Sequence, residues 1–476
     1  MMGKPAARAR ITSWWLVIRE SLWFVPAVCT LVAIVLAVVL VRIDRTVRFD
    51  QRDDLPWWLF GGGPEGIRAV LSAIAGTTIT VTGVVFSITV VALQLASSQF
   101  SPLVLRRFRA DRGNQVVLGV FIGTFTYALL VLRSVLSPEQ DSDGFVPVLA
   151  ATAAIGLALI SVGLLIFFIH HAARSVQAST IIDRALEDTL GVIQHLYPED
   201  LGDPDEAISS QPPAGVAAII TATEGGYFQA VDEDTLFEVS EDRALAVRIE
   251  RSPGDYVLPG SVLASVWPAS ALDADLENEI HAAFVIGTER TLQSDIELGI
   301  RQIADIGIKA LSPGINDPTT AIQCIDHLSH ALAQLGRRSW PNPVRIGKDG
   351  EVRVRANVPS FDRLVEVAFA QLRQYGAKDA TLSAHLVTSL GRLAALLPPE
   401  RRGPLVRQAM LVIETTRAEL TVRGDIARVE EAASWVRAAE TDGNASRAPA
   451  SHAFTSQNEP GMKRGTGTDE SGQANA

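Results

Sequence analysis

Cysteine is nearly missing from this chain: there are 2 in 476 residues, Cys29 and Cys324. One lies in an apolar run and the other far away in a charged region, so no disulfide framework organises the fold. Basic charge is not in excess either. The net charge of −11 argues against nucleic-acid binding, since a phosphate partner needs a concentrated basic surface. The motifs of common enzymes are missing too. There is no Gly-x-Ser-x-Gly, no Walker loop, no His-Glu-x-x-His and no Gly-x-Gly-x-x-Gly after a strand. No residue stands out as a nucleophile or general base, so the expectation is a protein that is not an enzyme and uses no cofactor. His327 and His330, with Asp326 beside them and His281 elsewhere, match no zinc spacing, and no metal site is expected.

Charge is also missing from one long stretch, and the chain is organised around it. Residues 69–105 contain no Asp, Glu, Lys or Arg. As a helix they would be roughly 55 Å long, against roughly 30 Å of bilayer hydrocarbon. A membrane span fits inside, at residues 69–95. Three more uncharged runs cover residues 21–41, 113–132 and 145–169. Each is long enough to cross. A basic head containing Trp14 and Trp15 precedes the first run, but no small-residue cleavage pattern follows. That run is therefore read as a retained helix.

The total of 47% hydrophobic residues is ordinary. Its distribution decides the class, because the apolar runs crowd into the first part of the chain. The expected fold is an α-helical integral membrane protein. A basic N-terminus (1–20) leads into four transmembrane helices within 21–174, followed by a mixed α+β cytoplasmic region. In that region, 175–213 reads as an amphipathic helix and a Pro-, Asp-, Glu- and Ser-containing linker. Residues 214–270 hold short β-rich runs at 216–221, 245–249 and 262–266, with turn signals at Pro253-Gly254-Asp255 and Pro259-Gly260. They read as a small β module, with a closed barrel as one arrangement. Residues 271–440 are mainly helical, interrupted at Ser312-Pro313-Gly314 and by an alternating strand at 352–358. Residues 441–476 are poor in large apolar side chains and are expected to be disordered.

Orientation follows from basic residues. Arg106, Arg107, Arg109 and Arg112 follow the second span, whereas the turn at 137–143 has no Lys or Arg. Arginines stay on the cytoplasmic side, which puts both termini in the cytoplasm. Arg42, Arg45, Arg48 and Arg52 after the first span count the other way, and the one-sided third loop is given more weight.

Three groups of residues are candidates for function. Gly76, Thr80, Gly83, Ser87 and Gln94 recur at helical spacing and form a small, polar stripe on the second span. Such a stripe either packs helices or lines a pore, and packing is the commoner use. No charged residue sits at mid-membrane, which argues against a proton relay or a charge-coupled transporter. Arg106, Arg107, Arg109 and Arg112 are candidate contacts for lipid head groups or anions, although orientation alone explains them. Ser312, Asn316 and Asp317 form a candidate ligand loop. A helix end at Pro313-Gly314 and a cap at Asp317-Pro318 explain all of it but Asn316.

Several stretches together resemble a known family. They are Ser97-Ser98-Gln99-Phe100-Ser101-Pro102 with Arg106 and Arg107, and Arg112-Gly113-Asn114-Gln115-Val116-Val117-Leu118-Gly119. Further on come Arg290-Thr291-Leu292-Gln293, Gly299-Ile300-Arg301-Gln302, and Leu311-Ser312-Pro313-Gly314-Ile315-Asn316-Asp317-Pro318-Thr319-Thr320-Ala321. The chain resembles the bacterial predicted membrane proteins grouped as DUF2254, a domain of unknown function. The resemblance spans nearly all of the chain except its two ends. It implies a multi-pass protein of the bacterial inner membrane with no accepted activity. Alanine is common in the family where Gly314 stands here.

Two classes of function fit these readings. One is a homo-oligomeric, channel-like conduit for ions or small solutes, with the cytoplasmic region as sensor or gate. The other is a non-transporting scaffold or sensor that binds a cytoplasmic protein partner. The lipid bilayer is a partner in both.

Overall fold

The computed structural model describes residues 23–47, 57, 59–61, 63–99, 111–136, 145–175, 177–197 and 215–436. The expected basic N-terminus, the linker at 198–213, the turn at 137–143 and the tail at 441–476 lie outside the described residues.

Four long helices come first: α1 (Phe24–Val47), α2 (Pro64–Gln99), α3 (Arg112–Ser134) and α4 (Val148–Ser175). All four are long and apolar enough to cross a membrane. Their ends differ from the uncharged runs in the sequence. α1 carries Arg42, Asp44 and Arg45 inside its last turns rather than in a loop. α4 starts after Pro147, because Phe145 is held in a backbone bridge to Leu136.

α3 is the centre of the bundle, with α1, α2 and α4 packed around it. The closest approach is to α1. A Cβ on Gly119 would sit 2.9 Å from Cys29 Sγ and 3.2 Å from Pro26 Cα. A Cβ on Gly123 would meet the Cys29 carbonyl oxygen at 3.3 Å. Gly119 and Gly123 face Cys29 and Ala33, so small residues on both helices let the backbones close up. This is the Gly-x-x-x-Gly contact of membrane helices, and it is made by the third helix.

Polar ties hold one end of the bundle. Both carboxylate oxygens of buried Asp44 accept hydrogen bonds from the first turn of α4, from Leu149 N at 3.0 Å and Ala150 N at 2.9 Å. Tyr127 donates its hydroxyl to the Ala150 carbonyl at 2.9 Å. Arg68 donates to the Val135 carbonyl, and the Arg45 guanidinium lies 5.3 Å from the centre of the Phe145 ring.

The remainder is a mixed α/β region. Its first helix is α5 (Ala178–Leu196), amphipathic as its pattern requires. Next come β1 (Ala218–Thr221), β2 (Gly226–Val231), α6 (Glu233–Asp242), β3 (Ala246–Ile249), β4 (Tyr256–Val257), β5 (Val262–Trp267), α7 (Ala274–Ala283) and β6 (Phe284–Gly287). α8 (Ile296–Ala310) and α9 (Pro318–Gly336) form a helical pair. β7 (Val344–Ile346) and β8 (Val352–Arg355) follow, and then α10 (Phe361–Gly376), α11 (Ala380–Leu396), α12 (Gly403–Glu419) and α13 (Arg423–Ala432).

The strands form two sheets, one of order β1-β5-β3-β8-β7 and one of order β4-β2-β6. This arrangement differs from a closed barrel confined to residues 214–270. β6 lies in a stretch expected to be helical, and α6 in a stretch expected to be β-rich. β8 runs parallel to β3, with Val247 opposite Val354 and Arg248 opposite Arg355. A parallel pair needs a crossover, and here the crossover contains α7, α8 and α9. Two apolar cores result. One lies between the sheets, α6 and α7, around Phe228, Leu236, Val266 and Phe284. The other joins α5 to α8–α13, around Ile303, Leu328, Phe369 and Leu390.

Candidate functional site

α2 presents two lines of small and hydroxylated residues at helical spacing. The line buried against the bundle is Ile67, Leu71, Ala75, Thr78, Thr82, Val85, Thr89 and Ala92. Gly76, Thr80, Gly83, Ser87 and Gln94 lie on the other side and are all exposed. A Cβ on Gly76 or Gly83 would meet nothing within 4 Å, in contrast to Gly119 and Gly123. The stripe Gly76, Thr80, Gly83, Ser87 and Gln94 therefore packs against no helix among the described residues. Its hydroxyls turn inward: Thr80 Oγ1 donates to the Gly76 carbonyl at 2.8 Å and Ser87 Oγ to the Gly83 carbonyl at 2.9 Å. Around the stripe stand the exposed apolar side chains Ile79, Val84, Phe86, Ile88, Val90 and Val91.

Of the four arginines after the second span, Arg106, Arg107 and Arg109 lie outside the described residues. Arg112 begins α3 and is exposed. Beside it the third and fourth helices are tied together. Asp111 caps α3 by accepting from Gly113 N at 2.8 Å, and its other oxygen lies 2.7 Å from His171 Nε2 near the end of α4. The His171 ring stacks on Phe167. Asn114 and Gln115 are buried in the next turn. The signal for Asp111 was present, since an aspartate just before an uncharged run is a helix cap. Nothing in the sequence pointed to His171 as its partner.

The loop at 312–317 is a connector between α8 and α9. Ser312 Oγ donates to the Lys309 carbonyl, and Asp317 accepts from Thr320 N at 3.1 Å and Thr320 Oγ1 at 2.6 Å. Asn316 has φ +50°, the left-handed region, where asparagine is among the few tolerated side chains. That accounts for the one residue the capping pattern left over. Asn316→Val should cost about 1–2 kcal/mol through backbone strain, whereas Asn316→Gly should be nearly neutral. Thermal melting of the two variants checks this, and equal melting would place Asn316 outside the turn's constraint.

The other singled-out groups are dispersed. His327 pairs with Asp183 at 2.8 Å, His385 with Asp326 at 2.7 Å, and His330 is exposed. Cys324 is fully buried; burial, with Asp317 adding to it, pushes its thiol up.

Comparison with known proteins adds the family. The model of a family described as predicted membrane protein, DUF2254, matches residues 19–392. The chain belongs to that family. The DUF2254 match runs from just before α1 to within α11, so it takes in the helical bundle, both sheets and the connector at 312–317. The chain is also 38% identical over 386 residues to uncharacterized proteins of Mycobacterium tuberculosis and Mycobacterium bovis, covering 79% of this chain and 73% of theirs. No solved structure matches it.

Proposed function

We propose that this DUF2254 protein spans the bacterial inner membrane with α1–α4, both termini cytoplasmic. Copies assemble so that the Gly76-Thr80-Gly83-Ser87-Gln94 face of α2 turns toward the assembly axis. The assembly is a conduit for ions or small solutes, and the α/β region is its sensor or gate. The carrying observation is the empty space over Gly76 and Gly83, on a face that no helix among the described residues covers. α2 has 36 residues, which at about 1.5 Å each exceeds the hydrocarbon thickness by several turns. The helix thus extends past the bilayer toward its cytoplasmic end. There Arg106, Arg107, Arg109 and Arg112 would meet lipid head groups or favour anions.

The non-transporting reading has its own support. Thr80 and Ser87 spend their hydroxyl protons on their own helix, which suits a face that packs on another copy. In that reading the α/β region holds a cytoplasmic protein partner. Neither reading assigns catalysis.

Gly83→Leu with Ser87→Leu separates the two. The pair should leave melting of the detergent-solubilised monomer within about 0.5 kcal/mol of the parent, because the side chains enter open space. In the oligomer it should disrupt assembly, measured by native mass, and reduce ion flux in liposomes severalfold. Flux absent from the parent would favour the scaffold. A parent that is monomeric at all concentrations would sink the conduit.

A further inference from the structure

A cleft of about 770 Å³ opens between the two cores of the α/β region. Its walls come from β3, β8, the segment after α9, the start of α10 and the turn before α12. Arg248, Glu250, Trp340, Arg355, Phe361 and Arg401 define it. We propose that this cleft binds the phosphate group of a small soluble organic phosphate. The inference does not depend on the conduit reading.

The first support is a like-charge pair built into the sheet. Arg248 and Arg355 are direct partners across the parallel β3–β8 ladder, so they share one face of it. Like charges placed opposite one another on paired strands destabilise the sheet. Glu250 pairs with Arg248. It accepts from Arg248 Nε at 2.7 Å and, on the same oxygen, from Ser265 Oγ at 2.6 Å. The lining then has three guanidinium groups and one carboxylate.

The second support is Arg401. Its guanidinium carbon lies 4.3 Å from the Trp340 ring centre and 5.6 Å from that of Phe361. It makes no ion pair among the described residues. Burial pulls its pKa below the ordinary arginine value, against the weaker pull of Glu400, Tyr197 and Asp362. The rings fix its plane and leave its donors to a ligand. Arginine forks match the oxygens of phosphate geometrically.

The third support is the N-terminus of α10, which carries Ser360 and Phe361 into the cleft wall. Ser360 Oγ accepts from Arg363 N at 3.2 Å. The positive end of this helix, which has 16 residues, adds to the field of the arginines. The space exceeds what inorganic phosphate needs and suits a small metabolite, whose apolar part can lie along Trp340 and Phe361.

Calorimetric titration of the purified full chain in detergent tests this, with adenosine monophosphate and inorganic pyrophosphate as probes. At least one probe should bind with a Kd below about 1 mM, and malonate should bind at least tenfold more weakly. Arg355→Gln and Arg401→Lys should each weaken the probe tenfold or more while melting like the parent; Arg401→Lys keeps the charge and loses the planar fork. Absence of binding by both probes would overturn the proposal. So would equal binding of malonate, or folded variants that bind as the parent does.

Discussion

Replacing Asp44 with alanine is expected to destabilise the helical bundle by about 3 kcal/mol, because two helix-start amides, one of them fully buried, lose their acceptor together. Asp44 is 1% exposed, and its two oxygens take the N–H groups of Leu149 and Ala150. Those amides belong to the first turn of α4, where no carbonyl of the same helix can reach them. The carboxylate also sits at the positive end of that helix. Ala150 is fully buried and Leu149 only partly, so water cannot replace the carboxylate at both. Asp44→Asn should recover part of the loss, since an amide offers one acceptor oxygen in place of two. Melting of the full chain in detergent should fall by roughly 5–10 °C for the alanine variant and by less for the asparagine variant. Equal melting of all three proteins would show that the cap carries little energy.

Asp295→Ala should cost a similar amount, about 3 kcal/mol, through a buried ion pair that also caps a helix. Its carboxylate accepts from Arg290 Nε and from a second guanidinium nitrogen, both at 2.7 Å, and from Leu298 N at 2.9 Å at the start of α8. The pair is closed in by Gly254, whose φ of +97° and lack of a Cβ let the turn lie directly against both side chains. Truncation leaves the Arg290 charge without its partner. Burial raises the Asp295 pKa despite the opposing pull of Arg290. The folded state therefore holds this proton more tightly than the unfolded chain does, whose aspartates titrate near about 3.9. Between those two values, this group's contribution to stability rises as pH falls. Above the folded value it is ionised in both states and its contribution is flat. The stability difference between the parent and Asp295→Asn should accordingly shift in the parent's favour as pH is lowered through that window. A difference independent of pH would refute the assignment of the shift.

The family stretch around Arg290 gains a physical meaning from this geometry. Arg290 holds Asp295, and Gly299 lies where a Cβ would strike Thr189 Oγ1 at 2.7 Å, which seats α8 against α5. Arg301 donates to Gln371 on α10. These residues assemble the helical core, whereas the residues lining the arginine cleft lie in stretches that the sequence marks only as strands and helix starts, with no sign that they meet. Their chemistry depends on β3 meeting β8, and the partners Arg248 and Arg355 are too far apart in the chain for any local pattern to join them.

The sequence by itself determined the four long helices, the change to a mixed α/β region and the family. Uncharged runs longer than the bilayer's hydrocarbon can bury their backbone polar groups only as helices, and this is a local property of composition. Caps such as Asp317 and turns such as Pro253-Gly254-Asp255 were legible for the same reason, since each is set by neighbouring residues. The tertiary structure alone decided which face of α2 is buried. Thr78, Thr82 and Thr89 have the same spacing and chemistry as Thr80 and Ser87, and only the positions of α3 and α4 separate them. It also decided that β8 joins β3 and that Asp44 reaches α4. Each of these is a contact between segments distant in the chain, and its energy comes from a partner that no local pattern of residues can specify.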